Sequence, residues 1–150
     1  MKSKTARNIL IILLLFLGIG ALGGGLGLII SPSGKLMGGL PLSGLQNSPF
    51  TDFLIPGIIL FLVLGLFPCL ISLALIKKPV NRFAEYFNFF RDMHWAWTFS
   101  IYVAFALIIW IQVETIFISG TSWLQTFYML YAIPIIFVAL LPQIRDIYKK

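Results

Sequence analysis

One carboxylate stands where carboxylates are seldom found. Glu114 is the only acidic or basic side chain in the run from Trp95 to Ile118. An ionisable group in a membrane helix is costly and tends to face a cavity or a partner. Counted from Trp95 at about 1.5 Å per residue, it lies about 28 Å along the helix. That puts it near the far interface, where it can also reach headgroup water. A negative charge near a helix C-terminus opposes the macrodipole, so a hydrogen-bond donor or a proton is expected to compensate it. Gln112, Gln125 and Thr126 fall at the same level, as does Asp52 at the head of the preceding hydrophobic run. Asp52 has a simpler reading, since an acid in the first helical turn complements the dipole. Together, Glu114, Asp52, Gln112 and Gln125 form a candidate polar site; two carboxylates in one pocket would take a cation or a proton.

The remaining reactive side chains are few. His94 is the only histidine and lies beside Arg91 and Asp92, where it suits a bond to Asp92 or to lipid phosphate better than a proton switch. A His-rich metal site is excluded. Cys69 is a lone cysteine within an apolar run, which reads as a small buried side chain. No phosphate-binding loop, nucleophile elbow or HExxH zinc motif occurs. The glycines between Gly18 and Gly27 follow no strand, so they do not form a dinucleotide loop. No cofactor is implied.

The elements that must position these residues follow from composition. Hydrophobic residues make up 59% of the 150-residue chain and charged ones only 11%. Soluble domains carry about 25% charge. A mean hydropathy of +0.98 suits a chain solvated by lipid. The net charge of +6 sits in short clusters at the ends of the apolar runs. This distribution marks orientation signals and headgroup contacts, not a nucleic-acid-binding face.

Four runs are long enough to span a bilayer: residues 9–30, 53–76, 95–118 and 123–141. The first exceeds a signal-peptide core and lacks a clear cleavage motif, so it is expected to remain as a helix. Its pairs Gly20/Gly24 and Gly23/Gly27 each share a face and predict close helix packing. Ser48-Pro49 predicts the start of the second span, and Pro68 within it predicts a kink. The fourth span contains Pro134.

Two longer connections join the spans. Residues 31–52 are rich in glycine and proline yet keep Leu36, Met37, Leu40, Leu42 and Leu45, so this loop is expected to lie on the membrane surface or to fold over the outer end of the bundle. Residues 79–94 place Phe83, Phe87 and Phe90 at helical spacing and predict a short amphipathic helix in the interface. Its candidate lipid contacts are Arg82, Phe83, Phe87, Arg91, His94 and Trp95. The expected fold is all-α: a single domain of four transmembrane helices in an antiparallel bundle, with this interfacial helix between spans two and three.

Lys2, Lys4, Arg7, Lys77, Lys78, Arg82, Arg91, Arg145, Lys149 and Lys150 fall on one side of such a bundle, and only Lys35 on the other. The positive-inside rule then puts both termini in the cytoplasm. The stretches Ser31-Pro32-Ser33-Gly34, Ser48 to Gly57, His94 to Thr98 and Ile109 to Glu114 resemble a family of small bacterial four-helix membrane proteins without an assigned activity. The resemblance covers most of the chain and implies a multi-pass protein of the bacterial inner membrane. Relatives carry Asp where this chain has Ser31. The functional expectation is a non-enzymatic protein that binds membrane lipid, a partner membrane protein or further copies of itself. The alternative is a small oligomeric transporter or channel built around Glu114.

Overall fold

The computed structural model describes residues 2–35, 45, 48–117 and 122–150. All its regular elements are helices: α1 (Ser3–Ile30), α2 (Leu54–Lys77), α3 (Arg82–Tyr86), α4 (Trp95–Phe117), α5 (Trp123–Leu140) and α6 (Pro142–Tyr148). Four of them, α1, α2, α4 and α5, are long and apolar enough to cross a membrane. Their outward side chains include Ile12, Phe16, Leu73, Phe105, Ile109 and Phe137. In water such a surface would drive association; hydrocarbon solvates it.

Helix α1 begins six residues before the apolar run. Lys4 and Arg7 extend it, because long basic side chains are good helix formers. Packing between α1 and α2 is the tightest in the molecule. A Cβ on Gly25 would lie 2.7 Å from the Phe61 backbone nitrogen and 2.8 Å from the Gly57 carbonyl oxygen. One on Gly18 would meet Cys69 Sγ at 2.6 Å and the Gly65 oxygen at 2.9 Å. Residue numbers therefore fall along α2 as they rise along α1. Glycine is required at both points because backbone is what approaches. The closest approaches on α1 thus fall at Gly18 and Gly25, seven residues apart, rather than at Gly20 and Gly23. Gly23 has open space around it, and Gly20 faces the Tyr128 hydroxyl.

The proline in α2 is accommodated without a break. Residues Leu60–Leu66 form a π-helical stretch, and Phe67 N–H donates to the Leu62 carbonyl five residues back. Widening the turn before Pro68 absorbs its missing donor. Ser72 Oγ then donates to the Pro68 carbonyl at 2.9 Å. The helix starts later than Ser48-Pro49 predicts. Ser48 turns on itself, donating to the Leu45 carbonyl and accepting from Phe50 N–H. Asp52 instead accepts from Leu54 N–H at 3.0 Å and opens α2.

Helices α4 and α5 pack side by side, α2 touches α4, and α1 touches α5 and α6. The main core gathers Leu10, Leu14, Leu64, Val103, Leu107 and Ile135. A second, smaller cluster of Leu28, Leu45 and Phe53 closes the end opposite the basic clusters. Leu45 thus packs inward against Leu28 and Phe53; Leu36, Met37, Leu40 and Leu42 lie outside the described residues.

The connection after α2 departs most from expectation. Only Arg82–Tyr86 is helical, capped by Asn81 Oδ1, which accepts from Phe83 and Ala84 N–H. Beyond it the chain turns. A short helix thus lies between the second and third spans, but it stops before Phe87 and Phe90, and Asn88 just beyond it bonds Glu85, Phe90, Met93 and Thr98.

Candidate functional site

At the end away from the basic clusters, Glu114 sits on the last turns of α4, half-buried, with its carboxyl facing the Trp110 indole and the Gln125 amide. Gln125 is placed by the start of α5. Its Oε1 accepts from Ser122 N–H at 3.2 Å, the reciprocal arm of a capping box. With the oxygen so engaged, the amide NH2 is the part of Gln125 left to face the Glu114 carboxyl. Of the candidate polar residues, Glu114 and Gln125 come together across the α4–α5 pair. Gln112 is exposed, and Asp52 is engaged in capping α2.

The basic end is built differently. Asn88 is 1% exposed and uses its whole hydrogen-bonding capacity. Its Nδ2 donates to the Met93 carbonyl at 2.8 Å and to Glu85 Oε2 at 3.1 Å. Its Oδ1 accepts from Thr98 Oγ1 and from Phe90 N–H. Two donors and two acceptors exhaust a side-chain amide.

The C-terminal residues then close over this knot. His94 N–H donates to the Tyr148 carbonyl at 2.7 Å and Lys150 N–H to the Asp92 carbonyl at 2.9 Å, around an isolated antiparallel bridge between Met93 and Lys149. Lys150 Nζ meets Glu85 Oε2 at 2.7 Å, the one ion pair among the described residues. Tyr148 is buried, and its hydroxyl donates to the Leu75 carbonyl at 2.7 Å. Lys78 Nζ donates to the Ile147 carbonyl and stands 5.0 Å over the Tyr148 ring. These contacts explain why Lys78 holds a left-handed backbone, φ 47°, as the C-cap of α2. A non-glycine residue keeps that conformation only when its surroundings impose it.

His94 departs from its expected partner. Its Nδ1 accepts from Ala96 N–H at 3.2 Å and so caps α4, rather than pairing with Asp92. Burial holds the imidazole below its ordinary value, against the pull of the Glu85 charge and the Pro79 and Lys78 carbonyls. Burial alone would raise the Glu85 carboxyl. Hydrogen bonds from Lys150 and Asn88, together with the Lys150 charge, outweigh it and hold the group low. Burial pushes the Tyr148 phenol up to about 12.

The expected lipid contacts divide into two sets. Phe83 is 75% exposed, and Arg82, Phe87 and Arg91 are exposed as well; Val80, Tyr86 and Phe89, which the sequence did not single out, stand beside them at 76% to 94% exposed. Trp95 is only 8% exposed; its indole donates to the Pro79 carbonyl at 2.9 Å and stacks on His94. It therefore holds the connection against α4 and offers little face to lipid. Trp97 is buried too and donates to the Ala139 carbonyl.

Sequence reasoning missed Asn88, Thr98, Tyr148 and Lys150. Only α6 left a signal: Pro142 suits a first helical position, and Ile144 and Tyr148 are four apart, both buried. No family model, curated protein or solved structure matches the chain.

Proposed function

We propose that this chain is a non-enzymatic integral membrane protein, an antiparallel four-helix bundle whose basic, cytoplasmic end binds membrane lipid or a partner membrane protein. In this reading it is a multi-pass protein of a bacterial inner membrane, of the small four-helix kind that its sequence resembles. The observation that carries the proposal is the segment from Val80 to Phe90. Its large apolar side chains face outward, while Asn88, Trp95 and the C-terminal residues fix its backbone. Exposed aromatics on a fixed backbone, ringed by Lys77, Arg82 and Arg91, suit a membrane interface or a docking partner. Native mass spectrometry of the protein, extracted gently from its own membrane, tests this. Defined lipids or a retained protein support it. A bare homo-oligomer that moves a solute across liposomes rejects it.

The Glu114–Gln125 contact favours a second reading, a small oligomeric transporter or channel. Four short helices enclose little space, so the pathway would run between copies. Glu114→Gln keeps the shape and removes the charge. If that variant leaves a measured flux unchanged, Glu114 is a satisfied structural carboxyl and this reading loses its central residue.

A further inference from the structure

The basic end carries a groove between α2, α3 and the start of α4. Its wall is Phe67, Leu70, Ile71, Phe83, Phe87 and Phe99, and Asn81 stands at its edge. The space is about 240 Å³, below the ~300–1,000 Å³ of pockets that enclose compact small molecules. It is open on one side and almost wholly apolar, the shape that a length of hydrocarbon chain fills.

Its polar rim has one sign. Arg82 lies between Asn81 and Phe83, both groove residues, and is exposed. Lys77 is seven residues beyond Leu70 on α2, so it shares that face about two turns higher, and it too is exposed. Neither has an acidic partner: Glu85 is paired with Lys150, the one ion pair among the described residues. Asn81 Oδ1 is occupied by Phe83 and Ala84 N–H, so its NH2 faces outward as a donor. An apolar slot edged by an amide donor, with two exposed cations in the adjoining turns and no acid paired with them, has the complementarity of a phospholipid with an anionic headgroup.

We infer that this groove seats one acyl chain of an anionic phospholipid of the surrounding leaflet, with the headgroup held by Lys77 and Arg82. The inference rests on the lipid-binding reading above and names its site and lipid class. A cation near an anionic membrane surface adds about fivefold to binding, so two give a clear preference over a zwitterionic lipid of equal chain length.

The test is native mass spectrometry of the full-length protein incubated with equimolar phosphatidylglycerol and phosphatidylcholine. Wild type retains one phosphatidylglycerol in preference. The double variant Lys77→Gln/Arg82→Gln binds both lipids equally. Leu70→Trp fills the slot and retains neither at that stoichiometry; Leu70 is 51% exposed, so its melting temperature stays at the wild-type value. Equal retention of the two lipids by wild type overturns the inference. So does unchanged phosphatidylglycerol preference in both variants, which would leave lipid binding intact but elsewhere on the protein. A homodimer that Leu70→Trp abolishes would make a second copy the occupant and also overturn it. Loss of all lipid from wild type, with no partner retained, would reject the broader reading as well.

Discussion

The two ends of the bundle are closed by different physics. At the basic end, side chains bond backbone carbonyls far away in sequence: Tyr148 to Leu75, Lys78 to Ile147, Trp97 to Ala139. At the other end the side-chain to backbone hydrogen bonds are short-range, with Asp52 serving Leu54, Ser48 serving Phe50, and Gln125 serving Ser122, and one backbone bond, from Phe53 N–H to the Pro32 carbonyl, spans a longer stretch. There the helices are held by backbone apposition at Gly25 and Gly57 and by the Leu28–Leu45–Phe53 cluster. Lipid weakens the hydrophobic drive between spans. Close backbone packing and hydrogen bonds remain as the means of fixing a unique arrangement, and this chain assigns one to each end.

The sharpest way to break the contrast is at Gly25. A leucine there meets backbone atoms of α2 that cannot turn aside. Gly25→Leu should destabilise the protein by about 3 kcal/mol, the upper range for overpacking, and lower its melting temperature in detergent. Protection of the basic end against hydrogen exchange should persist until global unfolding. Asn88→Ala should cost about 2 kcal/mol, because it strands Thr98 and the Met93 carbonyl in a buried site. Its exchange signature should be the reverse, with residues 85–98 and 147–150 opening first. Tyr148→Phe removes one buried hydrogen bond and keeps the ring. A loss of about 1 kcal/mol is expected, confined to the same segments.

Acid should separate the ends without any mutation. A base whose folded pKa is depressed contributes stability that is present above its unfolded value and lost as pH falls through the folded one. His94 therefore weakens the basic end below its ordinary 6.5. The Glu85 carboxyl, also held low, adds its loss below its ordinary 4.5. Both groups are partly exposed, so the effect is small. Hydrogen exchange of residues 85–98 should quicken between pH 7 and 5 beyond the intrinsic rate change, while residues 48–60 show no such excess. Equal change at both ends would erase the distinction.

The four spans were legible because exclusion of charge over twenty residues is a property of composition and needs no partner. Glu114 and Gln125 were legible as candidates because each stands near the same end of successive spans; that they face one another depends on packing. Asp52 was expected inside the first turn of the second span; it stands two residues ahead of Leu54, whose N–H donates to it. In the connection 79–94 the aromatic spacing marks a short helix, found over Arg82–Tyr86, but not where it stops. Phe83, Phe87 and Phe90 carry a helical period, but Asn88 is held by Thr98 and Met93, and Trp95 by Pro79. The C-terminal closure was invisible for the same reason: Glu85–Lys150 and Leu75–Tyr148 join residues 65 and 73 apart, and no local pattern records such a pair.

Lipid or partner binding at the basic end requires the bundle to cross a membrane with that end inside. Single cysteines in a Cys69→Ala background test this directly, one at Lys35 and one at Lys150, both exposed. In intact cells, a membrane-impermeant maleimide should label Lys35→Cys at once and Lys150→Cys only after permeabilisation. Labelling of both in intact cells, or of Lys150→Cys alone, would contradict the account.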